Sequence, residues 1–322
     1  MRAVVLSNTP WSLSVAEDWP EPRAGSGQVL IRVHGVGICG SDLDLVAGAR
    51  RPPSVPWIPG HEATGEIVAT GPGVDPSRIG QRVVVEPNFP CLHCQACRSG
   101  HSSMCPDRII VGFTAPGLLA ELVAVPAAYA WPVPEHWSDA DAACAEPLTV
   151  ALTAIRRSNV QAGGRCLVVG AGSQGTLLCL ALVARGITPY VLEPHDGRRQ
   201  LAVELGAVEA QAGDAGFTTV FETSGAPPAL SDAMKRAARG ATVVMIGLGA
   251  DARIDTGLVV RRQLTLRGSM IYDHPADFAA ALTAAVPSPG LVLRACYPLG
   301  EAEAAMRSAR DAPGKTWIQV NK

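Results

Sequence analysis

The chain has 322 residues, 48% of them hydrophobic, enough for about two domains with buried cores. A formal net charge of −2 gives no electrostatic basis for partnering nucleic acid or an anionic membrane. Aromatic residues are only 5%, so the cores must be mostly Ala, Val and Leu, and 33 Gly with 26 Pro imply many turns.

The N-terminus "MRAVVLSNTPWSLSV" has neither the apolar core nor the cleavage site of an export signal, so a cytoplasmic location is expected. Over about the first 130 residues, short β-rich runs lie between Pro and Gly breaks: "RAVVLS", "QVLIRVHGVG", "HEATGEIVATG", "QRVVVEP" and "AELVAVPA". They predict a partly open barrel or sandwich. Near Ser138 the texture changes. "SDADAACAEPLTVALTAIRRS" opens with a capping box, Ser138 to Asp141, and Pro147 suits the first turn of a second helix.

From Arg165 to about Ala284 the runs "CLVVG", "PYVLE", "TVFET", "ATVVMIG" and "LTLRGS" alternate with helical stretches. That alternation predicts an α/β domain, a parallel sheet with crossover helices. The longest apolar stretch, "CLVVGAGSQGTLLCLALVA" (166–184), is broken by "GAGSQG" and flanked by Arg165 and Arg185. It reads as strand, turn and helix rather than a membrane span. Between "LGA" (205–207) and "VFETSG" (220–225) only residues 208–219 remain. That is too little for strand residues plus a full crossover helix, so the helix is expected to be missing or reduced to a turn. The tail returns to "LVLRACYPL", a helix over 300–310 and the run "KTWIQV", which should rejoin the first domain. The expected division is 1–148, completed by 286–322, and 149–285.

Four of the nine cysteines fall in "CLHCQACRSGHSSMC" (91–105), while Cys39, Cys144, Cys166, Cys179 and Cys296 are scattered singly. In a reducing compartment such a cluster reads as metal ligands before disulfides. Cys91, Cys94, Cys97 and Cys105 follow C-x2-C-x2-C-x7-C, short gaps with a longer return that suit a tetrahedral site. Four thiolates leave no open position, so a zinc there would be structural. An iron–sulfur cluster or free thiols are the alternatives, though the fourth cysteine lies further off than ferredoxin runs place it. His93 and His101 are read as bystanders.

"CLVVGAGSQG" sets Gly170, Gly172 and Gly175 between an apolar strand and a helical run. Gly170 permits a tight turn, Gly172 lets the backbone approach a pyrophosphate, and Gly175 packs helix on strand. Glu193, ending "YVLE", stands where a carboxylate would bind both ribose hydroxyls. Ser173 and Gln174 within the loop, Thr223 and Gly247 after later strands, and Arg198 complete the expected cofactor contacts. Arg198 and Arg199 could hold a 2′-phosphate, but Glu193 would repel it, so NAD is favoured over NADP.

Three further stretches put metal-capable residues at backbone bends: "GICGSD" (37–42), "GHE" (60–62) and "AEPL" (145–148). Alone, Cys39 and His61 suit a buried core equally well, and Glu146 a helix start. Together with the quartet, the glycine loop, the initial "MRAVVL", "PGHEATGEIVATG", "VFETSG" and "RGSMIYDHPADFAAAL", they closely resemble the zinc-dependent medium-chain alcohol and polyol dehydrogenases, over essentially the whole chain. The resemblance implies a GroES-like β-rich catalytic domain and a Rossmann domain with a doubly wound parallel sheet. It also implies a catalytic zinc at Cys39, His61 and Glu146, with Glu62 as an alternate or additional ligand. Asp42 would orient the histidine and Ser41 would hydrogen-bond the substrate oxygen. The metal would acidify an alcohol, Ser41 would pass its proton outward, and hydride would go to a nicotinamide in the cleft between domains.

Two positions depart from the family. Asp44 stands where a relay histidine is frequent, and Ile271 precedes Tyr272 where sorbitol-type members carry arginine. Sorbitol itself is therefore not the expected substrate. A carboxylate ligand, Asp44 and few aromatics favour a polyhydroxylated one: a sugar alcohol, cyclitol or aminocyclitol oxidised with NAD. The alternatives are an NAD(P)H-dependent ketone or aldehyde reductase and a non-catalytic dinucleotide sensor. The run "RRQLTLRGS" (261–269) should be the last strand of the sheet, and an open edge there implies a homodimer or homotetramer.

Overall fold

A computed structural model describes residues 1–8, 10–249 and 252–321. Its contacts separate two compact units: Met1–Glu146 with Asp273–Thr283 and Leu293–Lys322, and Pro147–Tyr272 with Ala284–Val292. This differs from the sequence-based division chiefly at Asp273–Thr283, and hydrogen bonds give the reason. Asp273 Oδ1 accepts from Ser103 N at 2.9 Å. His274 Nδ1 lies 2.9 Å from the fully buried Glu86 carboxylate, and the ring stacks on Tyr129 with centroids 4.6 Å apart.

The first unit holds nine strands before the crossover region: β1 Ala3–Asn8, β2 Ser12–Ala16, β3 Gln28–Gly37, β4 Glu62–Thr70, β5 Arg82–Val85, β6 Asn88–Phe89, β7 Ile109–Ile110, β8 Leu122–Pro126 and β9 Ala130–Pro132. The second contributes β10 Cys166–Val169, β11 Pro189–Leu192, β12 Val208–Glu209, β13 Phe217–Glu222, β14 Ala237–Met245 and β15 Thr265–Gly268. The chain then returns through β16 Leu293–Pro298 and β17 Lys315–Gln319.

In the first unit a seven-stranded sheet runs β16-β17-β3-β4-β5-β9, with β8 also on β3. Alternation along β3 buries Val29, Ile31 and Val33 on one face, the period-two pattern of a strand with one core side. Inserting β17 between β16 and β3 makes it an interior strand, and Lys315 to Ile318 are all buried. The register that matters for function is at the end of β3, where Gly37 pairs with Glu62 on one side and Trp317 on the other. A side chain at Gly37 would collide with the Glu62 carboxylate and come within 2.7 Å of Lys315 Cε.

The second unit is a six-stranded sheet, ordered β12-β11-β10-β13-β14-β15, with every pairing parallel. The order reverses at β10, the doubly wound arrangement that opens a crevice at the strand ends. All four residues of β10 are buried, as a strand covered on both faces requires. Between β12 and β13 there is no helix. The connection is a turn closed by Gln211 N to Asp214 Oδ2 at 2.7 Å and Asp214 N to Gln211 O at 3.0 Å. The short connection read from the sequence is therefore what the chain makes, and β15 forms the sheet edge opposite β12. Ser138 and Asp141 form the expected reciprocal cap on the helix Asp139–Ala143. Among the described residues no helix is long and apolar enough to cross a membrane.

Candidate active site

Cys39 caps the helix Gly40–Val46 in extended conformation, which sets its thiol at the start of the helix. Asp42, in the first turn, is completely buried and fully engaged. It accepts from Cys39 N at 3.0 Å and from Gly60 N at 3.3 Å, and meets His61 Nδ1 at 3.1 Å. Gly60 has φ +91, and a Cβ there would stand 3.0 Å from Leu119 Cγ and from Val36 Cγ1. Glycine is thus needed to swing the chain so that His61 faces Asp42. Burial disfavours the charged imidazole, yet the Asp42 carboxylate and Cys39 outweigh it and hold His61 well above its ordinary range.

With Nδ1 on Asp42, the other ring nitrogen is free for a ligand, the arrangement that orients metal-binding histidines. Ligand atoms of Cys39, His61 and Glu62 all lie within 4.8 Å of one another. One thiolate, one imidazole and one carboxylate form a donor set suited to zinc, with room for a fourth ligand. Phe113 packs against His61, ring centroids 5.1 Å apart.

Glu62 is ion-paired with Lys315 Nζ, and Lys315 also donates to Ile38 O at 3.2 Å. Both side chains are buried. Burial pulls the ammonium down, but Glu62 and the nearby thiols raise it above its ordinary value. Removing this cation leaves the carboxylate buried without a counter-charge. In chelator-treated protein, Lys315→Met is therefore expected to lower stability by about 3–5 kcal/mol, measured by urea unfolding.

Glu146 lies buried in the first turn of the helix Ala145–Ser158 and is not part of the close ligand group. Ser41 is half-buried in the helix that Cys39 caps, and Asp44 is exposed on it.

The four cysteines of the 91–105 lobe form a second group, their sulfurs within 4.8 Å of one another. Backbone N–H groups bond the sulfurs in succession: Cys91 N to Cys105 Sγ at 3.3 Å, Cys94 N to Cys91 Sγ at 3.3 Å and Cys97 N to Cys94 Sγ at 3.5 Å. Such bonds stabilise thiolates, and the backbone N–H of His93 leads in pulling the Cys91 thiol down to about 6. All nine cysteines are free. The donor set and the amide bonds fit a closed, structural zinc. His93 turns its ring to the Cys91 carbonyl at 2.7 Å, and His101 faces Ser99 at 3.4 Å, so neither joins the sulfurs.

In the second unit Gly170, at φ +92, follows β10, and a Cβ there would lie 2.9 Å from Thr223 Oγ1. Gly172 caps the helix Ser173–Val183 and faces open space. A Cβ on Gly175 would overlap the Gly170 carbonyl. Thr223 Oγ1 locks this turn by donating to Val169 O at 3.1 Å and Gly170 O at 3.0 Å. Gln174 donates to Pro147 O at 3.3 Å, and Ser173 is half-buried at the helix start. Glu193 is brought beside the loop, accepting from Ala171 N at 2.7 Å and His195 N at 2.8 Å. Gly247 N bonds Glu222 O at 3.1 Å, against the turn at Gly225. Arg198 N is tied to the His195 ring at 3.3 Å. The Arg199 guanidinium is occupied by Asp196 at 2.7 Å and Glu209 at 3.1 Å. The site fits a dinucleotide: an open glycine cradle at a helix N-terminus with a carboxylate alongside.

Lys315 and Phe113 were not among the residues singled out from the sequence. A lysine opening an apolar terminal strand was the available signal for the first; nothing local marked the second.

Residues 25–135 match the sequence profile of the "Alcohol dehydrogenase GroES-like domain" family, and residues 174–286 that of the "Zinc-binding dehydrogenase" family. Sorbitol dehydrogenase of Bacillus subtilis is 32% identical over 273 residues, covering 79% of this chain and 77% of that protein. L-threonine 3-dehydrogenase of Thermococcus kodakarensis is 33% identical over 291 residues, covering 83% and 82%. The solved structure of 2R,3R-butanediol dehydrogenase from Bacillus subtilis superposes with a TM-score of 0.88 at 28% identity, covering 99% of both chains. The GroES-like unit with its two metal-ligand groups, the Rossmann sheet and these likenesses place the chain in the zinc-dependent medium-chain alcohol and polyol dehydrogenases, enzymes that oxidise CH–OH groups with NAD(P).

Proposed function

We propose that the chain oxidises a polyhydroxylated secondary alcohol (a sugar alcohol, cyclitol or aminocyclitol) to its ketone with NAD. The observation that carries this reading is the Cys39–His61–Glu62 group, half-buried at the thiol and buried at the imidazole and carboxylate, with Asp42 orienting the imidazole. Cys39, His61 and Glu62 would hold a catalytic zinc, and Cys91, Cys94, Cys97 and Cys105 a structural one. Glu146 is left outside the ligand set. When bound, the catalytic metal acidifies the substrate hydroxyl and fixes its position.

Ser41 and Asp44 lie three residues apart on one helix, so their side chains share a face. Ser41 would accept the substrate's hydroxyl proton and hand it on, and the exposed Asp44 carboxylate would receive it or bond a second substrate hydroxyl. Gly170, Gly172, Ser173, Gln174 and Gly175 would cradle the cofactor's pyrophosphate, with Thr223 and Gly247 beside it. Glu193 would take the ribose hydroxyls, and its charge together with the engaged Arg199 favours NAD over NADP. Pairing of β15 edges between two copies would give a dimer.

The test compares kcat/KM for linear polyols and cyclitols with that for butanol and benzyl alcohol, using NAD and NADP in turn. The polyhydroxylated alcohols with NAD are expected to be turned over best. Better turnover of the apolar alcohols would refute the substrate assignment. Asp44→Asn is expected to slow the polyol reaction, and an unchanged rate would remove only the role given to Asp44.

A further inference from the structure

The loop after the helix Gly40–Val46 carries two adjacent arginines, Arg50 and Arg51, both exposed. Neither forms an ion pair among the described residues. The loop is tied at both ends. Ala47 N donates to Leu43 O at 2.8 Å and Arg50 N to Asp44 O at 3.1 Å. Trp57 N donates to Leu6 O at 3.0 Å, and its indole Nε1 to Gly112 O at 2.8 Å. Pro52, Pro53 and Pro56 stiffen the backbone between these anchors.

Arg50 Cζ lies 4.2 Å from the centre of the Phe113 ring. Phe113 is buried and packs on His61. One aromatic ring therefore separates a positioned cation from the imidazole of the ligand group. A guanidinium resting on a ring face keeps the N–H fork at its edge available for another partner. The carboxylates of the site are otherwise engaged: Asp42 by His61 and two backbone N–H groups, Glu62 by Lys315. Asp44 meets Arg50 through its backbone carbonyl.

We propose that Arg50 binds an anionic substituent, a carboxylate or a phosphate, on the polyhydroxylated substrate. Both groups offer the planar pair of oxygens that a guanidinium holds two-pronged. This inference rests on the dehydrogenase reading above and narrows its substrate class to acidic polyols.

The experiment measures kcat and KM for zinc-loaded wild-type protein and Arg50→Gln with three matched sets: xylitol and glucitol, xylonate and gluconate, and the terminal phosphates of the two polyols. Wild type is expected to prefer one of the charged sets, and which set separates a carboxylate from a phosphate substrate. In Arg50→Gln, kcat/KM for that set should fall about 10- to 100-fold, mostly through KM, because a charge-assisted bond is lost. The same variant should turn over the neutral polyols at a nearly unchanged rate, and raising ionic strength should increase KM for the charged set in wild type only. Preference of wild type for neutral polyols would overturn the proposal and leave the dehydrogenase reading standing. Equal losses on charged and neutral substrates would overturn it too, showing that Arg50 merely supports Phe113. Absence of turnover with every member would overturn the acidic-polyol assignment, and the cyclitol comparison above then tests the dehydrogenase reading separately.

Discussion

Replacing His61 by alanine is expected to lower kcat/KM by roughly a thousandfold or more, because the imidazole is one of three protein donors in the ligand group. The fold should survive. Asp42 would lose one of its partners but keep the N–H groups of Cys39 and Gly60, a cost of about 1–3 kcal/mol. Zinc content should fall by one ion per chain, measured by elemental analysis alongside NADH formation. Asp42→Asn is the graded comparison: it retains hydrogen bonding but not the charge that polarises His61, so a smaller loss of about 10- to 100-fold is expected. A His61→Ala protein with full activity would remove the metal group from the chemistry.

The second large effect belongs to the cysteine lobe. Its only regular elements are the four-residue helix Gln95–Arg98, the 3-10 turn Ser102–Met104 and the two-residue strands β6 and β7. Leu92 and Met104 are exposed, so the lobe has little core of its own. Metal binding in small cysteine sites contributes on the order of 10 kcal/mol to ordering them. Cys97→Ser is therefore expected to release one zinc and open residues 91–105 to rapid proteolytic cutting, with a lowered melting temperature. Retained protease resistance and an unchanged zinc count would show that the quartet binds no metal.

Legibility in the sequence followed the distance over which each feature is specified. The quartet, the glycine loop and the Ser138–Asp141 cap are short-range, since spacing alone sets which atoms can meet. The absent helix between β12 and β13 was legible from chain length. Features made by tertiary assembly were not. Lys315 looks like an ordinary terminal lysine until β17 is inserted beside β3, which buries it against Glu62. The segment Asp273–Thr283 continues the helical rhythm of the second unit, yet Ser103 and Glu86, remote in sequence, bind it to the first. The resemblance offered both Glu146 and Glu62 to the metal, and it is the register of β4 at Gly37 that groups Glu62 with Cys39 and His61. The contacts of Phe113 with His61 and Arg50 join three loops and have no sequence pattern of their own.

The most direct measurement follows zinc per chain and NADH formation from a polyhydroxylated alcohol together during stepwise chelation. Two zinc ions are expected at the start. Activity should vanish with the first ion removed, from the site with an open position, while the cysteine lobe stays resistant to protease until the second is lost. Re-adding one equivalent of zinc should restore the rate. Full activity after both ions have been stripped, or one zinc per chain whose removal leaves the rate unchanged, would contradict a metal-centred dehydrogenase.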